Sequence, residues 1–367
     1  MRRWIKHNLV IVSFGCCIAG CMLTLVFGAK ETTSIAERRT LAEFPKLSIE
    51  SLRNHSYMED LETYLLDHFP LRDELRRMKA YFAYDVLGQL ENNDIYVING
   101  YAGKLEYPLK EASVTKAADK MQAIKEQYFP ESEVYYAIVP DKNFFLAEQN
   151  GYPAIDYDRL RMLMQEQLQD MTYIEIWDTL SIEDYYATDT HWRQECLGET
   201  VGRIGGALGV AEYLTSDYEW QIIPEFYGVY YGQSALPLSA EPLYYLTNDM
   251  TSAATQWSLE TKETKPIYSS EDEAGFDQYN VFLSGAQALQ KIESPLAKTD
   301  KRLIIFRDSF GSSITPLFLE AYKEIILIDT RYISSSLLGE YVDFEAPDTQ
   351  ILFLYNTLLL NNSSMLK

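Results

Sequence analysis

The spacing of hydrophobic positions changes character along this chain. From Asn8 to Ala29 the sequence "NLVIVSFGCCIAGCMLTLVFGA" carries no charge over 22 residues, close to the roughly 20 that cross a bilayer as a helix. Residues 31–50 have no period and read as a linker. Apolar positions then return at three- and four-residue spacing, Met58, Leu61, Leu65 and, beyond Pro70, Leu71, Leu75, Met78, Phe82. This predicts amphipathic helices within 51–90 that pack across the main domain.

An Asn99-Gly100 pair between apolar runs predicts a hairpin. After it, helical periodicity at about 113–128, 157–169 and 194–209 alternates with short apolar runs. These are "VYYAIV" (134–139), "TYIEIW" (172–177), "LIIF" (303–306), "IILI" (325–328) and "ILFLY" (351–355). Such alternation predicts an α/β fold, a parallel sheet with helices on both faces. Residues 212–282 break the rhythm with tyrosines, prolines and short strand-like runs, and read as a β-rich insertion. Tyrosines there suit core packing or a sugar-stacking surface.

Charge divides the chain. Residues 1–30 hold four basic and no acidic side chains, whereas 31–367 hold 28 basic and 54 acidic. Arg2, Arg3 and Lys6 before the apolar run place the N-terminus in the cytoplasm and the main domain outside the cell membrane, as a single-pass anchor. A second reading, lipoprotein processing at Cys21 in "IAGC", stays open, although the apolar "MLTLVFG" after it disfavours it. The acidic exported part makes nucleic acid an unsuitable partner. Cys196 is the one cysteine outside the first 30 residues, so no disulfide scaffold forms there, and it reads as structural.

Candidate chemistry collects at strand ends, where open parallel sheets bind ligands. "LIIFRDS" ends in Asp308-Ser309, "IILIDTR" in Asp329 and Arg331, and "ILFLYNT" in Asn356. A helix starting near Ser313 would offer free N–H groups to an oxyanion beside Ser309. A serine nucleophile needs a base. Of the four histidines, His191 in "YYATDTHWRQE" follows a predicted strand and has Asp189 two residues earlier. Asp189, His191 and Ser309 are therefore a candidate catalytic triad. Metal binding by Asp189 and His191 lacks further ligands at suitable spacing. "GRIGGALG" (202–209) follows no strand and is no phosphate loop, so neither metal nor cofactor is expected.

Together, "DTHW" (189–192), "RDSFGSSITPLF" (307–318), "IDTRY" (328–332), "ERRTLAEFP" (37–45), "YLLDHFPLRD" (64–73), "VPDK" (139–142), "FLSG" (282–285) and "FLYNTLLLNNS" (353–363) resemble the DHHW family. Its relatives are SGNH-hydrolase-like proteins that include alginate O-acetyltransferases. The resemblance implies a three-layer, flavodoxin-like SGNH domain over 51–367, with the triad at Asp189, His191 and Ser309. Arg331, Asn356, Asp308 and Trp192 are then candidates for oxyanion or substrate contact. Arg307 stands where an SGNH block has glycine, and Thr190 where the family often has histidine. The implied function is an O-acetyltransferase or esterase on a cell-envelope or secreted polysaccharide. A multispanning membrane O-acyltransferase is the implied partner. The alternative is a silent glycan-binding or scaffold subunit using Tyr227, Tyr230 and Tyr231.

Overall fold

The structure is a computed structural model that describes residues 2–28, 30–34, 37, 39–214, 217–269, 275 and 277–367, with only the helical backbone for 2–7. The side chains of Arg2, Arg3 and Lys6, on which the orientation reading rests, lie outside the described residues. The chain divides into two compact units, Met1–Asn93 with Tyr231–Pro237, and Asp94–Tyr230 with Leu238–Lys367.

In the first unit a helix runs Arg2–Phe27, and its segment Asn8–Phe27 is long and apolar enough to cross a membrane. The "ERRTLAEFP" and "YLLDHFPLRD" stretches clasp each other. Arg39 donates to both oxygens of Asp67 at 2.8 and 2.5 Å, the Ala42 N–H bonds the same carboxylate at 2.9 Å, and Arg72 pairs with Glu37 at 2.8 Å. Bonding by Arg39 holds the Asp67 carboxyl down at about 2. The helices Ser56–Asp67 and Arg72–Tyr81 form. Met58, Leu71, Met78 and Phe82 are 61%, 70%, 62% and 53% exposed.

The second unit is built on an eight-stranded sheet. Its strands are β1 Val134–Val139, β2 Thr172–Tyr173, β3 Thr255–Ser258, β4 Thr264–Pro266, β5 Leu289–Glu293, β6 Arg302–Arg307, β7 Glu324–Ile328 and β8 Thr349–Asn356. In space the order is β4-β3-β5-β7-β6-β8-β1-β2. The stretch β7-β6-β8-β1-β2 is parallel. β5, β3 and β4 extend it in antiparallel fashion. The central strands β6 and β1 are buried at every position, which is why they are legible as unbroken apolar runs.

Three departures have local causes. β3 and β4 come from the segment read as an insertion, so part of 212–282 is the sheet's own edge; the rest includes a hairpin of Glu219–Phe226 with Glu241–Thr247. β5, "LQKIE", escaped notice because an edge-side antiparallel strand alternates and carries charge. "TYIEIW" pairs only over Thr172–Tyr173, because Glu175 accepts the Trp177 N–H at 2.9 Å and turns the chain into a helical turn. The Asn99-Gly100 hairpin forms as expected.

Register matters for function. Arg307 pairs with Leu354, Phe306 with Ile328, and Asn356 with Val139. The carboxyl ends of β6, β7, β8 and β1 are thus level on one edge, and Ser309, Arg331, Asn356 and Lys142 follow them.

Candidate active site

Ser309 follows β6 after one residue, Asp308, and the helix begins at Phe310 rather than near Ser313. The early Pro316 opens a tighter turn that continues it. Asp308 explains the sharp exit from the strand: buried, it accepts the Phe310 N–H at 3.0 Å and the Asn356 N–H at 2.7 Å, tying β6 to β8. Its carboxyl is raised from the ordinary range by that burial. The Phe310 N–H is correspondingly spent and is not one of the oxyanion donors expected there.

Ser309 Oγ lies 2.7 Å from His191 Nε2, across 118 residues of sequence. On the other side of the ring, His191 Nδ1 lies 2.5 Å from Asp189 Oδ1, which also accepts the His191 N–H at 3.0 Å. Asp189 Oδ2 accepts the Val229 N–H at 2.8 Å. The contacts follow the triad logic: an acid fixing the imidazole tautomer, and the free ring nitrogen facing a hydroxyl.

The other candidates sort differently. Trp192 is fully buried; its Nε1 donates to Phe310 O at 3.1 Å and Ser313 Oγ at 2.9 Å. It couples the histidine loop to the serine helix. Asn356 caps the final helix: Oδ1 accepts the Leu358 N–H at 2.8 Å and Nδ2 donates to Val139 O at 3.0 Å. That leaves one Nδ2 hydrogen for any oxyanion. Arg331 is clamped by Asp329 through Nε at 2.9 Å and Nη2 at 2.6 Å. Its Nη1 makes no hydrogen bond among the described residues.

Arg307, in place of glycine, is fully buried and turned away from the serine. It donates to Gln290 Oε1 at 2.7 Å and Ser312 Oγ at 3.1 Å. Its stem lies under Gly311, where a Cβ would sit 2.7 Å from Arg307 Cβ. Arg307 is therefore a brace between β5 and the serine helix, and burial lowers its pKa. Burial likewise pushes the Cys196 thiol up to about 11, which suits a structural cysteine.

Sequence reasoning missed three contributors. Tyr279 lies flat on the His191 ring, centroids 3.9 Å apart and planes 8° apart, with its hydroxyl donating to Ser313 Oγ at 2.9 Å. Gly228 packs against the backbone of Thr188 and Asp189. Lys142, noted only within "VPDK", lies under the same loop. No periodic or motif signal marks Tyr279 or Gly228, and only the "VPDK" block marks Lys142, since each acts through a neighbour remote in sequence. Tyr230, proposed for glycan stacking, is instead buried and donates to Thr190 Oγ1 at 2.9 Å.

The Tyr279 stack predicts a graded response in turnover. Tyr279→Phe keeps the ring and should retain most activity, whereas Tyr279→Leu should lose about threefold to tenfold, matching the ~0.5–1.5 kcal/mol of an aromatic pair. Steady-state rates of the two variants, with thermal melts alongside, decide it; equal rates would deny the stack a role.

No protein-family model matches the chain, and no curated protein does. Solved structures do. A DHHW family protein from Eubacterium siraeum matches with TM-score 0.60 at 19% identity, over 75% of this chain and 94% of that one. Bacillus cereus PatB1 matches with TM-score 0.54 at 19% identity, over 72% and 96%. PatB1 with a sulfonyl adduct matches with TM-score 0.53 at 19% identity, over 72% and 94%. The chain thus shares the fold of a DHHW family protein and of PatB1, the fold to which its motifs point.

Proposed function

We propose that this protein is a serine-dependent O-acyltransferase or esterase, held in the membrane by its N-terminal helix, that modifies a cell-envelope or secreted polysaccharide outside the cytoplasm. The carrying observation is the 2.7 Å contact of Ser309 Oγ with His191 Nε2, continued at 2.5 Å to Asp189. The fold shared with PatB1, a protein known with a sulfonyl adduct, adds support. So does the apolar segment Asn8–Phe27.

In this reading His191 Nε2 takes the Ser309 proton as Oγ bonds to the carbonyl carbon of an acyl donor. The negative charge moves to the carbonyl oxygen, where the free Nη1 of Arg331 and the remaining Nδ2 hydrogen of Asn356 are suitable donors. Collapse breaks the carbon–oxygen bond of the donor, and the imidazolium returns the proton to the departing alcohol. An acyl-serine remains. A sugar hydroxyl then loses its proton to His191 as it attacks the ester carbon, and collapse breaks the bond to Ser309 Oγ, which takes that proton back from the imidazolium; water in place of the sugar gives hydrolysis. A multispanning membrane O-acyltransferase is the proposed source of acyl groups.

An aryl sulfonyl fluoride tests the nucleophile. The reagent should lose its fluoride and the Ser309 hydroxyl its proton as one sulfonyl group is added to the full-length protein, and peptide mass analysis should place that group on Ser309. Hydrolysis of an acetyl ester should be blocked in step. Labelling elsewhere with Ser309 untouched, or no ester turnover by unlabelled protein, would sink the proposal.

A further inference from the structure

The segment 186–191 places both Asp189 and His191, so what holds it decides the geometry of the site. Its peptide groups are gripped from two sides. Glu241 accepts the N–H groups of Ala187 and Thr188, each at 2.7 Å, and the Thr188 hydroxyl at 2.7 Å. Lys142 Nζ donates to the carbonyls of Tyr186 at 2.9 Å and Ala187 at 3.2 Å. Lys142 is 3% exposed, and its ammonium stands 5.0 Å from the centre of the Tyr230 ring. Nothing in the proposed reaction uses this charge, and an ammonium so deeply buried is costly unless it is paired.

We propose that Lys142 is a positioning residue for the Asp189–His191 pair, a buried ammonium that grips the carbonyls of Tyr186 and Ala187 and so fixes where Asp189 presents its carboxylate. This rests on the serine-dependent reading of the site. The groups facing it are the carboxylates of Asp189 on the gripped loop, Glu241 on the hairpin and Asp141 on its own loop, together with the Tyr230 phenol. Burial outweighs the pull of these carboxylates and lowers Lys142 to about 7. Proton loss leaves two N–H donors but removes the counter-ion shared by Asp189 and Glu241. The loop then loses the charge that balances it.

The sign of the pH effect follows. Lys142 must be protonated, so activity falls as pH climbs through and above about 7. Lys142→Met should lower kcat on the order of tenfold to a hundredfold with KM little changed, as expected for a misplaced catalytic pair. The alkaline limb should also vanish from its pH profile. A lysine of merely structural value would lower the yield of folded protein without moving that profile.

The test is an acetyl-ester pH–rate profile on full-length wild type and Lys142→Met in detergent. It is paired with the low-field proton resonance of the His191 Nδ1–H shared with Asp189. In wild type that resonance should broaden as pH rises above neutrality, and in Lys142→Met it should be shifted or broad throughout. The wild-type measurements stand even if the variant does not fold. Ester turnover with no alkaline limb, and a resonance indifferent to pH and to the substitution, overturns the role of Lys142 alone. A protein that turns over no ester but whose resonance follows Lys142 keeps the positioning role and removes the enzymatic reading.

Discussion

Ser309→Ala should abolish acyl transfer and ester hydrolysis, lowering kcat by about 10³-fold or more while the protein stays folded. Among the described residues the Ser309 hydroxyl has one hydrogen-bond partner, His191 Nε2 at 2.7 Å, so its loss costs only ~1 kcal/mol of stability. The chemistry, by contrast, has no other nucleophile to fall back on. Residual activity over water would come from binding and oxyanion stabilisation, which in triad enzymes leave ~10³–10⁴-fold. His191→Ala should lose a similar amount. It should also destabilise more, because the buried ring is packed between Tyr279 at 3.9 Å and Phe310 at 4.9 Å. The double variant should be no worse than either single one, since the two residues act as a unit. Initial rates on an acetyl ester, with thermal melts to certify folding, decide the matter. Ser309→Ala with a tenth or more of wild-type activity would leave the triad without its nucleophile.

The parts of this site that were legible in the sequence share one property: their meaning is local. β6, β7 and β8 announce themselves because strands buried on both faces must be apolar throughout, and each ends in polar residues that the parallel register brings level. Asp189 and His191 are two residues apart, so their pairing needs only one turn of chain. What was not legible depends on long-range contacts. Arg307 was the least explicable residue of its block, yet its partner Gln290 lies on β5, a strand whose alternating pattern hid it. The family resemblance offers Trp192, Asn356 and Asp308 as candidates for oxyanion or substrate contact. The hydrogen-bond accounting instead assigns Trp192 and Asp308 wholly to tying neighbouring elements together and leaves Asn356 one N–H. By composition the tyrosine-rich region suits either core packing or a glycan surface, and Tyr230 and Tyr279 are spent inside the protein, on Thr190 and His191. Composition reports how many aromatic rings a segment has and is silent on which way they face.

Gly228 makes the strongest claim about that region, because it ties the segment after the first hairpin strand to catalysis through backbone contact. A Cβ at Gly228 would sit 2.2 Å from the carbonyl carbon and oxygen of Thr188 and 2.3 Å from Asp189 Cα. Backbone atoms cannot swing aside as a side-chain tip can, so one of the two segments must move. The glycine segment is held by its own bonds to the same loop. Gly228 N–H donates to Thr188 Oγ1 at 2.7 Å, Val229 N–H to Asp189 Oδ2 at 2.8 Å and Tyr230 N–H to Thr188 O at 3.0 Å. Any relief of the clash therefore pulls Asp189 from His191. Overpacking of this kind costs ~1–3 kcal/mol of stability, whereas a shift of about 1 Å in a catalytic group costs up to ~10²-fold in rate. Gly228→Ala should thus lose about 10²-fold in kcat with a melting temperature lowered by only a few degrees. Gly202→Ala supplies the contrast: on the exposed face of the helix Gly198–Ala207, its added Cβ meets nothing within 4 Å. It should gain ~0.5–1 kcal/mol from helix propensity and keep full activity. Two glycine-to-alanine changes in one protein are then expected to move stability in opposite directions and activity in only one case. If Gly228→Ala retained wild-type turnover, the hairpin region would be separate from the chemistry, and Asp189 would owe its placement to Lys142 and Glu241 alone.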